Sequence, residues 1–215
     1  MGEGWNLLLF VCEAVLYFSL MTVLLHFRHR IGLGVFLTAL GVMHFVETYL
    51  AAVFYVALPF GVVSPGSSVF FAGKLMMILM LYIQEDASTV RQPIYGLFLG
   101  NLFTLAIAQL LLLHSTVAPA PGQVADMGFL SDMGMLMLWG TTLLYLDSLG
   151  IILLYERLGR IFPRRATLRF AISGVAVLSF DQIGFYALLN SLYDAPAAVF
   201  WGGWKAKMAA AALYS

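Results

Sequence analysis

The chain has 215 residues, of which 62% are hydrophobic and only 10% are charged, and its formal net charge is zero. Soluble domains carry roughly 25% charged residues, so this composition excludes a water-soluble globule and indicates a polytopic, all-α membrane protein. A neutral chain argues against nucleic-acid binding, and its one cysteine excludes an internal disulfide and a structural zinc site.

Apolar stretches long enough to cross a bilayer as helices recur seven times. A spanning helix needs about 20 mostly apolar residues. The predicted spans are residues 5–26, 31–58, 69–90, 94–114, 132–158, 166–192 and 197–215. The N-terminus carries no basic residue, so we expect the first span to be retained rather than cleaved as a signal. Strands are not expected, because the apolar runs are continuous and do not alternate.

The distribution of basic residues predicts the orientation of these spans. Every arginine lies on one side: Arg28 and Arg30 after the first span, Arg91 after the third, and the other five around the turn between the fifth and sixth spans. The loops at the other side hold no Lys or Arg and four acids, namely Glu3, Asp126, Asp132 and Asp194. The positive-inside rule therefore predicts an external N-terminus and a cytoplasmic C-terminus. Residues 205–215 still read as helix interior, which predicts either a short final helix or one that continues into a cytosolic module.

Six ionisable residues fall in the outer half of the bilayer when depth is counted at about 1.5 Å per residue. They are Glu13, Glu47, Lys74, Asp181, Lys205 and Lys207. Charges at this depth cost several kcal/mol unless they are paired or hydrated, so each is a functional candidate. We predict a polar pocket for a small polar ligand, formed by Asp181, Lys205, Lys207, Glu47 and Lys74. The alternative is a set of structural ion pairs that lock the helices together.

A short turn joins the sixth and seventh spans, so we expect them to be antiparallel neighbours. This arrangement predicts an ion pair between Asp181 and one of the two lysines of the last span. Lys205 and Lys207 point about 200° apart around a helix, so they cannot both face one cavity.

A second polar group is predicted toward the cytoplasmic side, comprising Glu85, Asp86, Arg91 and Asp147. We interpret Asp86, Arg91 and Asp147 as candidate coupling or gating residues; the alternative is that these acids pair with interfacial arginines. The depth count separates Asp147 from Asp181 and argues against a catalytic aspartate pair. No catalytic residue is predicted.

Two further patterns are less specific. His44 and Glu47 share a helical face and could bind a metal, although a polar patch is the simpler interpretation. No metal and no cofactor are therefore predicted. Gly96 and Gly100 form a GxxxG pattern that indicates close helix approach.

Several short motifs carry a family resemblance. They are Asp86 with Thr89-Val90-Arg91 and Tyr95-Gly96, Leu146-Asp147 with Glu156-Arg157-Leu158, Gly174 through Asp181 to Phe185, and Lys205 or Lys207. From about residue 31 onward their spacing resembles the vitamin-uptake family of six-helix membrane proteins, which includes bacterial queuosine-precursor transporters. In that family the aspartate of span six and the lysine of the last helix belong to the polar interior.

The chain also departs from the transporters of this family. We divide its single membrane domain, residues 1–215, into an extra first helix over 1–30 and a six-helix core over 31–215. The run Tyr82-Ile83-Gln84-Glu85-Asp86 looks more like the variant that serves as a sensory input region. Such regions precede cytosolic modules such as diguanylate cyclase or histidine kinase domains.

The resemblance thus implies a bacterial inner-membrane sensor that acts as a homodimer and signals to a cytosolic module on the same chain. A planar, purine-like ligand is implied by the resemblance alone. The alternatives are a transporter of a queuosine precursor or a similar small molecule, and a structural membrane subunit.

Overall fold

A computed structural model describes residues 2–117 and 128–215, with side chains described for residues 4–113 and 135–215. The helices are α1 (Gly2–His26), α2 (Arg28–Ile31), α3 (Leu33–Val53), α4 (Phe71–Gln84), α5 (Ala87–Val117), α6 (Gly128–Ile161), α7 (Ala166–Tyr193) and α8 (Ala197–Tyr214). Strands β1 (Val56–Leu58) and β2 (Gly61–Val63) and a π-helical turn, Gly66–Phe70, connect α3 to α4. Of the acids predicted for the outer loops, Glu3, Asp126 and Asp132 lie outside the part whose side chains are described.

The helices have the length and the surface of membrane spans. Within the described chain, six segments are long and apolar enough to cross a bilayer: α1 from Gly4 onward, α3, Gly66–Gln84, parts of α5 and α6, and the whole of α7. Leu16, Phe103 and Leu153 on their outer faces are 70%, 68% and 68% exposed, as expected for side chains in contact with lipid. The predicted class, an all-α polytopic membrane protein, is confirmed. The 18-residue helix α8 is not among the six, so a seventh span stays a prediction.

The expectation that the chain contains no strands was wrong at one place. The second apolar stretch is helical only to Val53, and residues 56–63 form an antiparallel hairpin in which Val56 faces Val63. The hairpin turns at Pro59 and Phe60, and Gly61 at the start of β2 has a φ of 142°, which favours glycine. Gly61 also lies against Gly202 of α8, so the hairpin packs directly on the last helix.

The third predicted span also ends earlier than expected. Helix α4 stops at Gln84, and Arg91, which was predicted to follow span 69–90, lies within the first turns of α5. Asp86 explains the break, because its carboxylate accepts hydrogen bonds from the backbone N–H of Thr89 at 2.8 Å and from the hydroxyl of Ser88. A side chain that caps the first free N–H groups favours the start of a new helix at this point.

Helix α4 lies at the centre of the bundle. All residues from Phe71 to Leu79 are buried, and α4 packs against α1, α3, α5, α6, α7 and α8. The neighbouring helices α6, α7 and α8 form two consecutive antiparallel hairpins. Asp147 precedes the end of α6 by 14 residues and Asp181 follows the start of α7 by 15, so they lie at the same level. Asp181 and Lys207 each lie 13 residues from Asp194 in the second turn and are level in the same way.

Candidate functional site

The polar interior is organised around the ring of Phe71, the first residue of α4. The Lys74 ammonium lies over this ring at 4.7 Å from its centroid, and the Lys207 ammonium lies over it at 5.4 Å. A cation over an aromatic face is attracted by the ring quadrupole, and the attraction is strongest where water is excluded. Phe71 therefore connects a charge carried by its own helix to one carried by α8.

Each of the two lysines has its own carboxylate. Lys74 Nζ donates to Glu47 Oε1 of α3 at 2.6 Å, and Lys207 Nζ donates to Asp181 Oδ2 of α7. The second ion pair confirms the predicted contact between Asp181 and one of the lysines of the last helix. We call Glu47, Lys74, Asp147, Asp181 and Lys207 the buried charge cluster.

None of these five side chains has appreciable contact with solvent or lipid. Lys74 and Asp147 are 0% exposed and Lys207 is 2% exposed, and the other two are buried as well. Charges removed from water to this extent persist only when they are paired and hydrogen-bonded. Removing one partner of such a pair costs about 3–5 kcal/mol, because the other charge stays buried alone.

A histidine and an asparagine extend the cluster toward α5. His44 Nδ1 lies 3.0 Å from Lys74 Nζ and 3.5 Å from Glu47 Oε2, and His44 Nε2 lies 2.9 Å from Asn101 Oδ1. The His44–Glu47 pair holds the ammonium group of Lys74, in agreement with the polar-patch interpretation of the motif.

A cavity of about 140 Å³ lies beside His44 and Asn101, between α3, α5 and α6. Gly41, Gly96 and Gly100 contribute to its lining. Within the described part of this chain no second helix approaches Gly96 or Gly100, because a Cβ atom at either position would meet nothing within 4 Å. In this fold the two glycines leave open space beside the cluster.

Asp147 was predicted to belong with the cytoplasmic charges, and the structure corrects that position. Its carboxylate lies beside Asp181, and Asp181, Lys207 and Lys74 are the charged groups that act on it. Neither of its oxygens has a hydrogen-bond partner among the described residues. The depth count failed because it started from the outer ends of the spans. The short turn between α6 and α7 sets the register instead.

The structure brings together four of the five predicted ligand-binding residues: Glu47, Lys74, Asp181 and Lys207. Lys205 is exposed, as its angular separation from Lys207 requires. Phe71, Asn101 and the position of Asp147 were not predicted. The spacing of Phe71 and Lys74, three residues apart on one helix, would have indicated that both share a face.

The predicted cytoplasmic group divides into separate contacts. Glu85 pairs with Arg28, as the alternative interpretation proposed, and Arg91 is exposed. An open cleft of about 440 Å³ lies at this end and is lined by Tyr82, Ile83, Glu85, Asp86, Ala87, Tyr155, Glu156 and Arg169. The Arg169 guanidinium lies over the ring of Tyr155, 4.4 Å from its centroid, and donates a hydrogen bond to the Tyr155 hydroxyl.

Asp86 at this end of the bundle is fully exposed. Hydrogen bonds from the side chain and the backbone N–H of Thr89, together with the Ser88 hydroxyl, lower the pKa of Asp86 to about 2. Asp86 therefore stays ionised throughout the neutral range and acts here as the cap of α5.

An apolar multi-pass bundle with paired charges in its interior is the class of protein that these observations define. A family model described as vitamin uptake-like sensor matches residues 18–215, and the chain belongs to this family. The match extends from the middle of α1 through α8 and confirms the resemblance to the sensory variant. The family is one of sensor domains rather than enzymes. Searches of curated proteins and of solved structures found no match.

Proposed function

We propose that the chain is a seven-span sensory input domain of the bacterial inner membrane, with its N-terminus outside. It binds a small polar ligand in the outer half of the bundle and signals through α8 to a cytosolic module on the same chain, acting as a homodimer. The observation that carries this proposal is the buried ion pair between Asp181 and Lys207, because it joins α7 to the last helix.

The ion pair gives a physical route from a ligand to α8. A ligand can shift a conformational equilibrium only by binding one arrangement better than the other. A polar ligand that competes for Asp181 or Lys207 replaces one partner of a buried ion pair. The contact that attaches α8 to α7 is thereby changed. Lys207 also shares the ring of Phe71 with Lys74, so the change extends to Glu47 on α3.

The cavity beside His44 suggests where such a ligand enters. Its volume of about 140 Å³ is smaller than the roughly 300–1,000 Å³ of typical small-molecule sites. A ligand of ordinary size must therefore separate α3 from α5 or α6 in order to bind. The glycines that line the cavity offer no side chain to oppose this movement, and binding is thereby coupled to helix displacement.

Binding and transport can be separated in proteoliposomes that contain the full chain. We would use a purine-like queuosine precursor as the probe and measure equilibrium binding and accumulation inside the vesicles in parallel. The expected result is saturable binding without accumulation. Asp181→Asn should weaken the binding at least tenfold, and Lys205→Met should leave it unchanged, because Lys205 lies outside the cluster.

Accumulation of the probe inside the vesicles, abolished by Asp181→Asn, would contradict the sensor and support a transporter. A structural subunit makes a different prediction. In that case, neutralising Asp181, Lys205 and Lys207 together would leave signalling by the natural protein intact.

A further inference from the structure

The charges of the buried charge cluster do not sum to zero if all its carboxyl and ammonium groups are ionised. The cluster contains the carboxylates of Glu47, Asp147 and Asp181 and the ammonium groups of Lys74 and Lys207. His44 and Lys74 carry one positive charge between them, because His44 Nδ1 and Lys74 Nζ lie 3.0 Å apart and one of these nitrogens must accept the hydrogen that lies between them. The described residues of the cluster therefore carry one negative charge in excess, at positions that are all buried.

The excess charge is located at Asp147. Glu47 and Asp181 each accept a hydrogen bond from a lysine, whereas both oxygens of Asp147 are buried without a partner among the described residues. The Asp147 carboxyl group instead faces Asp181, which lies level with it in the α6–α7 hairpin and whose charge acts on it. Two ionised carboxylates in contact repel each other and offer no donor, and the known solution to this conflict is a shared proton.

We propose that Asp147 and Asp181 form a proton-binding site that holds one proton between their carboxyl groups. The proton comes from the aqueous phase and adds to one carboxylate oxygen, and no other bond changes. It supplies both the missing positive charge and the missing hydrogen-bond donor. The proposal deepens the proposed function, because the same cluster also holds α8.

The charged and titratable groups around Asp147 come from each neighbouring helix. Asp181 faces it from α7, Lys207 from α8 and Lys74 from α4. On α5, the titratable groups with described side chains are Arg91 and Tyr95, and both are exposed. On its own helix, Tyr145 is half-buried two residues away.

Loss of the proton would leave two ionised carboxylates competing for the single ammonium group of Lys207. Because Lys207 belongs to α8, this competition weakens the attachment of α8 to α7. The state of the last helix would thus depend on the proton as well as on a ligand. Binding of the proton and binding of a ligand would then be thermodynamically coupled and reciprocal.

Infrared spectroscopy of the full chain in lipid nanodiscs tests the site directly. We expect the C=O stretch of a protonated carboxyl group at pH 7, shifted in D₂O and titrating at higher pH. Asp147→Asn should remove the band, since Asp181 then pairs with Lys207 alone. Asp86→Asn is the matched control and should keep it, because Asp86 is exposed and ionised. Since Asn resembles the protonated acid, Asp147→Asn should change the Tm by less than about 3 °C.

Three results would overturn the proposal: no protonated band in the wild type at pH 7, a band that Asp147→Asn retains, or a Tm that depends on Na⁺ at constant ionic strength. The wild-type titration requires no variant to fold. A protonated band without ligand binding would contradict the proposed function and leave the proton site standing. Ligand binding without a protonated band would support the proposed function and contradict the proton site.

Discussion

At the scale of single residues, Lys205 and Lys207 show how two positions on one helix acquire opposite roles. Lys207 is 2% exposed and paired with Asp181, whereas Lys205 is exposed. Lys207→Met is expected to lower the free energy of unfolding by about 3–5 kcal/mol, because Asp181 would lose its donor. Lys205→Met is expected to change it by less than about 0.5 kcal/mol.

Denaturant unfolding of the two variants in the same micelles measures this difference. Equal losses in both variants would contradict the role assigned to the Lys207–Asp181 pair. Double substitution of Lys207 and Asp181 by apolar residues should recover part of the loss, since no buried charge then remains unpaired.

The Asp86 cap of α5 predicts how the stability of the fold depends on pH. Hydrogen bonds from the side chain and the backbone of Thr89 lower the pKa of Asp86 to about 2, from an ordinary value of 3.8. A lowered pKa in the folded state means that the carboxylate stabilises the fold above pH 3.8. This contribution is lost as the pH falls through 2. The Tm difference between wild type and Asp86→Ala should be constant above pH 5 and should shrink between pH 4 and 2. A difference that grows in that interval would show that Asp86 is not the cap.

The residues of the site were only partly predictable. Charges at membrane depth are rare enough that Glu47, Lys74, Asp181 and Lys207 were all identified as candidates. The partner of each was predictable only where a short turn set the register, as for Asp181 and Lys207. The same reasoning about the α6–α7 turn would have placed Asp147 beside Asp181, but a depth count from the span ends carries the error of those ends.

At the scale of elements, the turn before α4 depends on one glycine. A Cβ atom on Gly66 would overlap the backbone of Glu47 and Ala51 in α3, and backbone atoms cannot move aside as a flexible side chain can. Gly66→Ala should therefore lower the free energy of unfolding by at least about 2 kcal/mol. Thermal unfolding in nanodiscs measures the effect.

Gly100→Ala is the matched control for this substitution. Gly100 lies in helix α5 and a Cβ atom there would meet nothing within 4 Å, so alanine should raise stability by about 0.5–1 kcal/mol through helix propensity. If Gly66→Ala were as stable as Gly100→Ala, the close approach of α3 to the π-helical turn would be wrong.

The long helices were predictable as elements, whereas the connections were not. The apolar stretch of residues 31–58 looks uniform, so its period does not reveal that the helix ends at Val53 and a hairpin follows. Pro59 and Gly61 are turn signals in the sequence, and the turn lies at Pro59 and Phe60, directly before Gly61 with its φ of 142°. The break before α5 likewise had a local signal in the Asp86-Ala87-Ser88-Thr89 cap.

At the scale of the whole molecule, composition alone defined the class. With 10% charged residues the chain has too few charges to cover a surface exposed to water, so its surface must face lipid. The six apolar segments of membrane-spanning length agree with this class. Whether α8 is a seventh span cannot be read from hydropathy, because the helix combines small residues with two lysines. Such a helix is stable in a bilayer only if neighbouring helices pair its buried charges. Packing in the folded bundle provides that condition for Lys207, and hydropathy does not report it.

The orientation of the bundle leads to a labelling experiment. Arg30→Cys and Asp194→Cys, each on a Cys12→Ser background, place a reactive thiol at an exposed position on opposite sides of the bundle. In right-side-out vesicles, an impermeant maleimide should label Asp194→Cys at once and Arg30→Cys only after permeabilisation. The reverse pattern would place the N-terminus in the cytoplasm.

The central claim is that the Asp181–Lys207 pair determines the position of α8, and a distance measurement tests it most directly. Cys12 on α1 is the chain's one cysteine and is exposed, and Leu213→Cys adds a second exposed site near the end of α8. Spin labels on both sites allow the α1–α8 distance distribution to be measured in nanodiscs by pulsed electron paramagnetic resonance. Lys207→Met should shift or broaden this distribution, while Lys205→Met should leave it unchanged. An unchanged distribution in folded Lys207→Met would contradict the claim.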